Sequence, residues 1–184
     1  MAIVNSEALS RFPQSGWNYR EMIDLGEPRG ECDYCGTVIR YCHIIWHPAW
    51  GTISVGAKCA DRLTQDETAS EKEKAYKKFL ERLQRFLESK RWVKRKNGLF
   101  FTLKEFKIKI WDHETYCNLD IDYPVGKPRG RYQEYKTLKS KHRYPSIDAA
   151  KRKAFEVIED GTLQKYINAL LHRANEINTI GEHK

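Results

Sequence analysis

Residues 31–63 read ECDYCGTVIRYCHIIWHPAWGTISVGAKCADRL and hold four of the chain's five cysteines and two of its six histidines. Cys32 and Cys35 enclose two residues and are followed by Gly36. Two thiolates at that spacing grip one ion only if the backbone turns tightly, and a glycine can take the positive φ that lets the chain leave such a knuckle. The next residues, VIRYCHIIWH, are β-branched and aromatic, PAWG is a turn, and TISVG is a second extended run, which together predict a β-hairpin. Cys59 follows in GAKCADRL, at the start of a predicted short helix.

Knuckle, hairpin and a cysteine at a helix start resemble a treble-clef zinc finger over these residues. The resemblance implies a structural zinc ion with two ligands from the knuckle and two from the helix N-terminus. Here Ala60, Asp61, Arg62 and Leu63 follow Cys59, so a second helical cysteine is missing. A fourth ligand is then expected from the hairpin, among His43, His47 and Cys42. Pairing about residues 48–51 sets His47 opposite Thr52 and His43 opposite Gly56, three residues before Cys59 on the partner strand. His47 falls about 13 Å nearer the tip at roughly 3.3 Å per residue, and Cys42 points to the opposite face from His43. The favoured set is Cys32, Cys35, His43 and Cys59 around Zn2+, with His47 and Cys42 the alternatives for the fourth position.

A thioredoxin-like redox pair would place its C-x-x-C between a strand and a helix, whereas a hairpin follows here. Four nitrogen and sulfur ligands would leave no open position for water. No HExxH occurs, nor the His-x-Glu and P-C-x-x-C of a deaminase, so the metal is expected to hold the fold and not to catalyse. A nuclease using His47 as its base would resemble the HNH type, but the asparagine and helical histidine of that family are missing. Cys42 and Cys117 read as small buried hydrophobes, and the His113–Cys117 interval as chance.

The 184 residues suffice for one domain or two small ones. The expected division is a zinc-binding module with an N-terminal extension over 1–65 and a basic α+β domain over 66–184. No apolar run reaches the roughly 18 residues of a membrane span. The opening MAIVNSEALSRF has no basic segment leading into an apolar one. A cytoplasmic location with reduced thiols is the expectation, and the odd cysteine count agrees with it.

Downstream of the cysteine stretch the periodicity alternates between helix and strand. Tyr76, Phe79, Leu80, Leu83, Phe86 and Leu87 recur every three or four residues, predicting a long helix over 68–91. Thr64-x-x-Glu67 and Ser70-x-x-Glu73 both read as capping boxes for its start. Phe106, Ile108 and Ile110 alternate with Lys107, Lys109 and Trp111, and period two resumes from Cys117 to Tyr123. That predicts a hairpin over 104–123 turning at 112–115, with a loop at Pro124–Gly130 and a short third strand at 131–138. Ser146 and Thr162 are expected to cap two closing helices, the second with Leu163, Ile167, Leu170, Leu171, Ala174 and Ile177 inward and Gly161 between them. The fold class is α+β: a knuckle, hairpin and short helix, then a long helix, a small antiparallel sheet and two C-terminal helices.

Net charge is +8 and unevenly placed. Residues 1–63 hold six Lys/Arg and seven Asp/Glu, a net of −1; the remaining 27 basic and 18 acidic residues give +9 downstream. The segment KPRGRYQEYKTLKSKHRYP at 127–145 carries seven Lys/Arg against one acid, Glu134. Such a surplus points to a polyanion, with cations neutralising phosphates and aromatic faces stacking on bases. The candidate contacts are Lys94, Arg95, Lys96, Arg129, Arg131, Tyr132, Lys136, Lys139 and Lys141. Ser146, Ala150, Lys151 and Ala154 give a pattern that resembles a double-stranded-RNA-binding domain, although Ile147 and Asp148 stand where that family has phosphate-gripping lysines. The leading expectation is a non-enzymatic, zinc-stabilised protein that binds DNA or RNA. The alternative is a protein-interaction adaptor or inhibitor, of phage- or plasmid-borne type, anchored by Tyr41, Trp46 and Trp50.

Overall fold

The computed structural model describes residues 12–181, without the side chains of Arg129 and of residues 173–181. The chain divides into two compact units, Met1–Glu81 and Arg82–Lys184. The division falls inside the long helix, where the sequence placed it at 65/66.

In the first unit, β1 (Asn18–Asp24), β4 (Tyr41–His47) and β5 (Gly51–Val55) form an antiparallel sheet in the order β1-β4-β5. A two-stranded ribbon of β2 (Gly30–Glu31) and β3 (Val38–Ile39) frames the knuckle. The helix α1 (Ala57–Thr64) follows the hairpin directly. Its Ala60 and Leu63, with Trp17, Cys32, Tyr34, Ile45, Ile53, Val55 and Ala69, make one buried cluster. Each fully buried Ile or Leu contributes roughly 1.5–3 kcal/mol relative to exposure, so this small core rests on few side chains. β1 is absent from the sequence expectation because its exposed and half-buried positions do not alternate cleanly, and a bulge between Tyr19 and Glu21 breaks its period.

The hairpin forms, but one residue out of the expected register. His47 pairs with Gly51 and His43 with Val55, so the turn holds three residues. Gly51, at φ +90°, adopts the left-handed backbone that closes such a turn.

The helix α2 (Thr68–Leu87) ends four residues before the expected 91. Its first free N–H groups are received by one acid of α1 and one of the intervening turn, and not by the two capping boxes. Asp66 Oδ1 accepts from Thr68 N at 2.9 Å, and Asp61 Oδ1 from Ala69 N and Ser70 N at 3.0 and 3.2 Å.

The second unit is a five-stranded antiparallel sheet ordered β10-β9-β8-β7-β6, more than the small sheet expected. Its strands are β6 (Val93–Arg95), β7 (Gly98–Leu103), β8 (Phe106–Asp112), β9 (Cys117–Arg129) and β10 (Tyr132–Lys139). β8 and β9 form the expected hairpin. β9 runs on through Pro124 and Pro128, where a loop was expected. β8 stops pairing at Asp122, and beyond it β9 has only β10 beside it, so a proline nitrogen facing away breaks no ladder.

α3 (Ile147–Glu159) lies on β8 and β9. Ser146 caps it, its Oγ accepting from Ala149 N at 3.1 Å. Ala150 and Ala154 are fully buried and let the helix approach the sheet closely, while Phe155 and Ile158 fill the layer between. α4 (Thr162–Gly181) begins after Gly161 at φ +77°. Asp160 Oδ1 takes the Thr162 N–H at 2.8 Å, the capping role expected of Thr162. Leu163 and Ile167 are buried, Leu171 is exposed, and the side chains of Ala174 and Ile177 lie outside the described residues. No described helix is long and apolar enough to cross a membrane.

Candidate functional site

The first unit brings Cys32, Cys35 and Cys59 together. Their sulfurs all lie within 4.8 Å of one another, Cys59 and Cys35 being 3.5 Å apart. The knuckle builds two of the three positions. Gly36, at φ +71°, sends its N–H back to Cys32 O at 2.8 Å, and Cys32 N–H reaches Thr37 O at 2.9 Å. Asp33 fastens the knuckle to β5, donating its N–H to Ser54 O and accepting Ser54 N–H on Oδ2 at 2.6 Å. Gly56, the N-cap of α1, presents its N–H to Cys32 Sγ at 3.4 Å and places Cys59 in the first helical turn.

All five cysteines are free thiols. A tetrahedral thiolate site with bonds of about 2.3 Å puts its sulfurs about 3.8 Å apart, so this trio fits a metal ion with little adjustment. The neighbouring Cys59 thiol, then the N–H groups of Gly56, Cys35 and Tyr34, lower the Cys32 thiol against the opposing effect of burial. The same pairing and burial raise Cys59.

His43 does not belong to the trio, which corrects the expected ligand set. Its ring is fully buried and both nitrogens are engaged elsewhere. Nε2 lies 3.1 Å from Glu73 Oε2 and Nδ1 3.3 Å from the Tyr19 hydroxyl. The pattern that satisfies both has Nε2–H donating to the carboxylate and Nδ1 accepting from the tyrosine. Glu73 Oε1 also accepts from Lys77. Burial pushes the Glu73 carboxyl up, but the bonds from Lys77 and His43 outweigh it and hold the group below its ordinary range. The one-residue register shift explains the miss: His43 stands opposite Val55, not Gly56, and faces β1 and α2.

The other two candidates are also committed. His47 Nδ1 accepts from Ala49 N at 3.2 Å and its ring packs on Trp17. Cys42 is buried against Leu25 and Gly30, where an added Cβ on Gly30 would lie 2.9 Å from its sulfur. Asp61 is held by the N-terminus of α2. Among the described residues, Cys32, Cys35 and Cys59 are the donors grouped within 4.8 Å of one another. A cavity of about 350 Å³ opens beside them, with Glu73, Lys58, Arg40 and Tyr41 among its walls.

Of the aromatic residues expected to anchor a protein partner, Trp50 is 49% exposed. Trp46 lies under the Arg20 guanidinium and Tyr41 packs edge-on to Tyr76, so both are largely used within the unit.

The second unit separates its basic residues by sheet face. Ile108, Ile110, Leu119 and Ile121 pair across β8 and β9 and face α3. The alternate positions form the opposite face: Arg95 on β6, Phe100 on β7, Lys107, Lys109 and Trp111 on β8, Tyr135 and Lys139 on β10. Arg95 sits over the Phe100 ring at 5.4 Å and Lys107 over the Tyr135 ring at 3.5 Å. Phe100 meets Trp111 edge-on at 5.5 Å. Two acids lie among them, both answered: Asp122 pairs with Lys109 at 2.8 Å and accepts from Thr137, and Asp120 accepts the Trp111 indole N–H. A recess of about 620 Å³ runs between Arg91, Arg95, Phe100, Lys107 and Lys109.

Of the residues picked from sequence, Arg95 and Lys139 belong to this face. Lys94 and Lys136 occupy the alternate register, and Lys96, Arg131 and Lys141 lie in turns; all five are exposed. Tyr132 is 68% exposed in the ribbon extension, and the Arg129 side chain lies outside the described residues. Phe100, Lys107, Lys109 and Trp111 were not picked from the sequence. For Lys107, Lys109 and Trp111 the period-two alternation with Phe106, Ile108 and Ile110 was the available signal. Lys151 donates to Leu87 O at 3.2 Å and lies over the Trp92 ring.

Compared with protein-family models, curated proteins and solved structures, the chain matches none of them.

Proposed function

We propose that the protein is a non-enzymatic nucleic-acid-binding protein. The sheet face of its second unit is the contact surface, and zinc bound by Cys32, Cys35 and Cys59 staples its first unit in a treble-clef-like arrangement. The observation that carries the reading is the interleaving of Arg95, Lys107, Lys109 and Lys139 with Phe100, Trp111 and Tyr135 on one side of an antiparallel sheet. Cations set between flat rings neutralise a phosphate backbone while the rings stack on bases. Stacking needs unpaired bases, so the preferred form is single-stranded or locally opened DNA or RNA. The knuckle, hairpin and helix-borne Cys59 support the treble-clef-like reading, and three sulfurs favour zinc over hard cations.

Fluorescence anisotropy with mixed-sequence oligonucleotides tests the reading. Binding should weaken with salt at a log–log slope of about −0.7 per phosphate neutralised. Single strands should bind more tightly than duplexes of the same length. Affinity that is absent at low salt, or unchanged in Arg95→Glu/Lys107→Glu/Lys139→Glu, sinks it.

A further inference from the structure

We infer that the metal centre takes its fourth ligand from outside the protein: a small exogenous oxygen or sulfur donor, water in the resting protein, admitted through the cavity walled by Glu73. The inference rests on the metal reading above but not on nucleic-acid binding.

Three observations carry it. Among the described residues the donors that come together number three, and zinc with thiolates takes four. Each side chain expected to complete the set is held elsewhere: His43 by Tyr19 and Glu73, His47 by Ala49 and Trp17, and Cys42 beneath Gly30. Finally, Cys32, Cys35 and Cys59 share one cavity with Glu73, a volume that holds several waters or a small molecule.

The Tyr19–His43–Glu73 chain gives that cavity a chemical character. Glu73 is fixed on one oxygen by a fully buried imidazole and on the other by Lys77, and each oxygen keeps a further lone pair. A metal-bound water has two hydrogens to donate, and a positioned carboxylate on the cavity wall is a suitable acceptor. His43 thus acts through Glu73 as a positioning residue, as the partners beyond a metal's own ligands commonly do. An anion entering the cavity meets repulsion from Glu73 and attraction from Lys58 at the rim, so anions compete with water without sealing the site.

Cobalt(II) substitution tests this without any activity assay. The cobalt-loaded full chain should show thiolate-to-metal charge transfer of three-sulfur intensity and the visible bands of a tetrahedral ion. Azide and 2-mercaptoethanol, titrated separately, should each shift those bands saturably at constant protein fold, followed by circular dichroism. Glu73→Gln removes the negative charge beside the cavity and should tighten azide at least about threefold. Visible bands that neither probe moves would mean a shell closed by a protein side chain and overturn the inference. So would four-sulfur intensity, or loss of the tetrahedral bands in His43→Ala with the charge transfer intact. Failure of the chain to bind cobalt at all defeats the metal reading itself, and no spectral result here bears on nucleic-acid affinity.

Discussion

The two units use the same residue types in opposite ways. In the first, aromatic rings turn inward, Trp17 and Tyr34 are buried, and polar side chains converge on a few fixed points: three sulfurs and the Tyr19–His43–Glu73 chain. In the second, rings stand on a sheet face beside cations, with Arg95 over Phe100 and Lys107 over Tyr135. The contrast follows from what each unit has to bury. The first has a small core and needs a cross-link between knuckle and helix to hold its loops. The second fills the layer between its sheet and α3 with Ile108, Ile110, Phe155 and Ile158, and α3 covers only that face.

The sharpest way to break that contrast is to remove the metal. A chelator, or Cys59→Ser, should unfold the first unit, since structural zinc in small modules contributes about 10–16 kcal/mol of apparent binding free energy. Calorimetry should show two transitions, of which only one moves; a single shared transition would mean the core of the first unit stands without its staple. Next in size, Ile108→Ala should lower the other transition by about 2–5 kcal/mol with metal content unchanged. Phe100→Ala on the opposite face should reverse that pattern. It should cost little stability yet lose about 1–3 kcal/mol of oligonucleotide affinity, read by anisotropy. Equal losses of stability from the two substitutions would erase the distinction between faces.

Charge reversal gives a smaller, more diagnostic effect. Arg95→Glu/Lys107→Glu/Lys139→Glu should flatten the salt slope by about 0.7 for each phosphate that is no longer neutralised. The smallest effect belongs to Asp24, which the bidentate Arg40 guanidinium holds at about 2 against an ordinary 3.8. A carboxyl lowered in the folded chain stabilises above its ordinary value and loses that contribution as pH falls towards 2. Asp24→Asn should therefore be slightly less stable at neutral pH and converge with the parent protein near pH 2, in urea midpoints measured across that range. A difference that widens on acidification would contradict the assignment.

How much of this was legible beforehand depended on the range over which each feature is encoded. The C-x-x-C-G knuckle is local, and Gly36 adopts the positive φ its place implies. The amphipathic stripes of α2 and α3 and the β8–β9 hairpin were equally readable, because period alone defines them. The fourth ligand was not. It hung on whether the turn after His47 holds three residues or four; with three, His43 stands opposite Val55, and its ring meets Glu73. β6 and β7 escaped notice because Lys94, Arg95 and Lys96 mask a short edge strand whose order comes from pairing with β7, itself paired with β8. For the same reason the basic surface was sought in the lysine-rich loop. The alternation that put Lys107 and Lys109 opposite Ile108 was visible, but which face α3 covers is a tertiary fact.

The account stands on three sulfurs, and not a histidine, holding the ion in the first unit. Metal content of the purified chain by elemental mass spectrometry, measured beside Cys32→Ser, Cys35→Ser, Cys59→Ser and His43→Ala, tests this directly. One zinc per chain is predicted for the parent and for His43→Ala, with each serine variant strongly depleted. A His43→Ala protein that is folded but zinc-free, or a parent chain purified without any zinc, would contradict it.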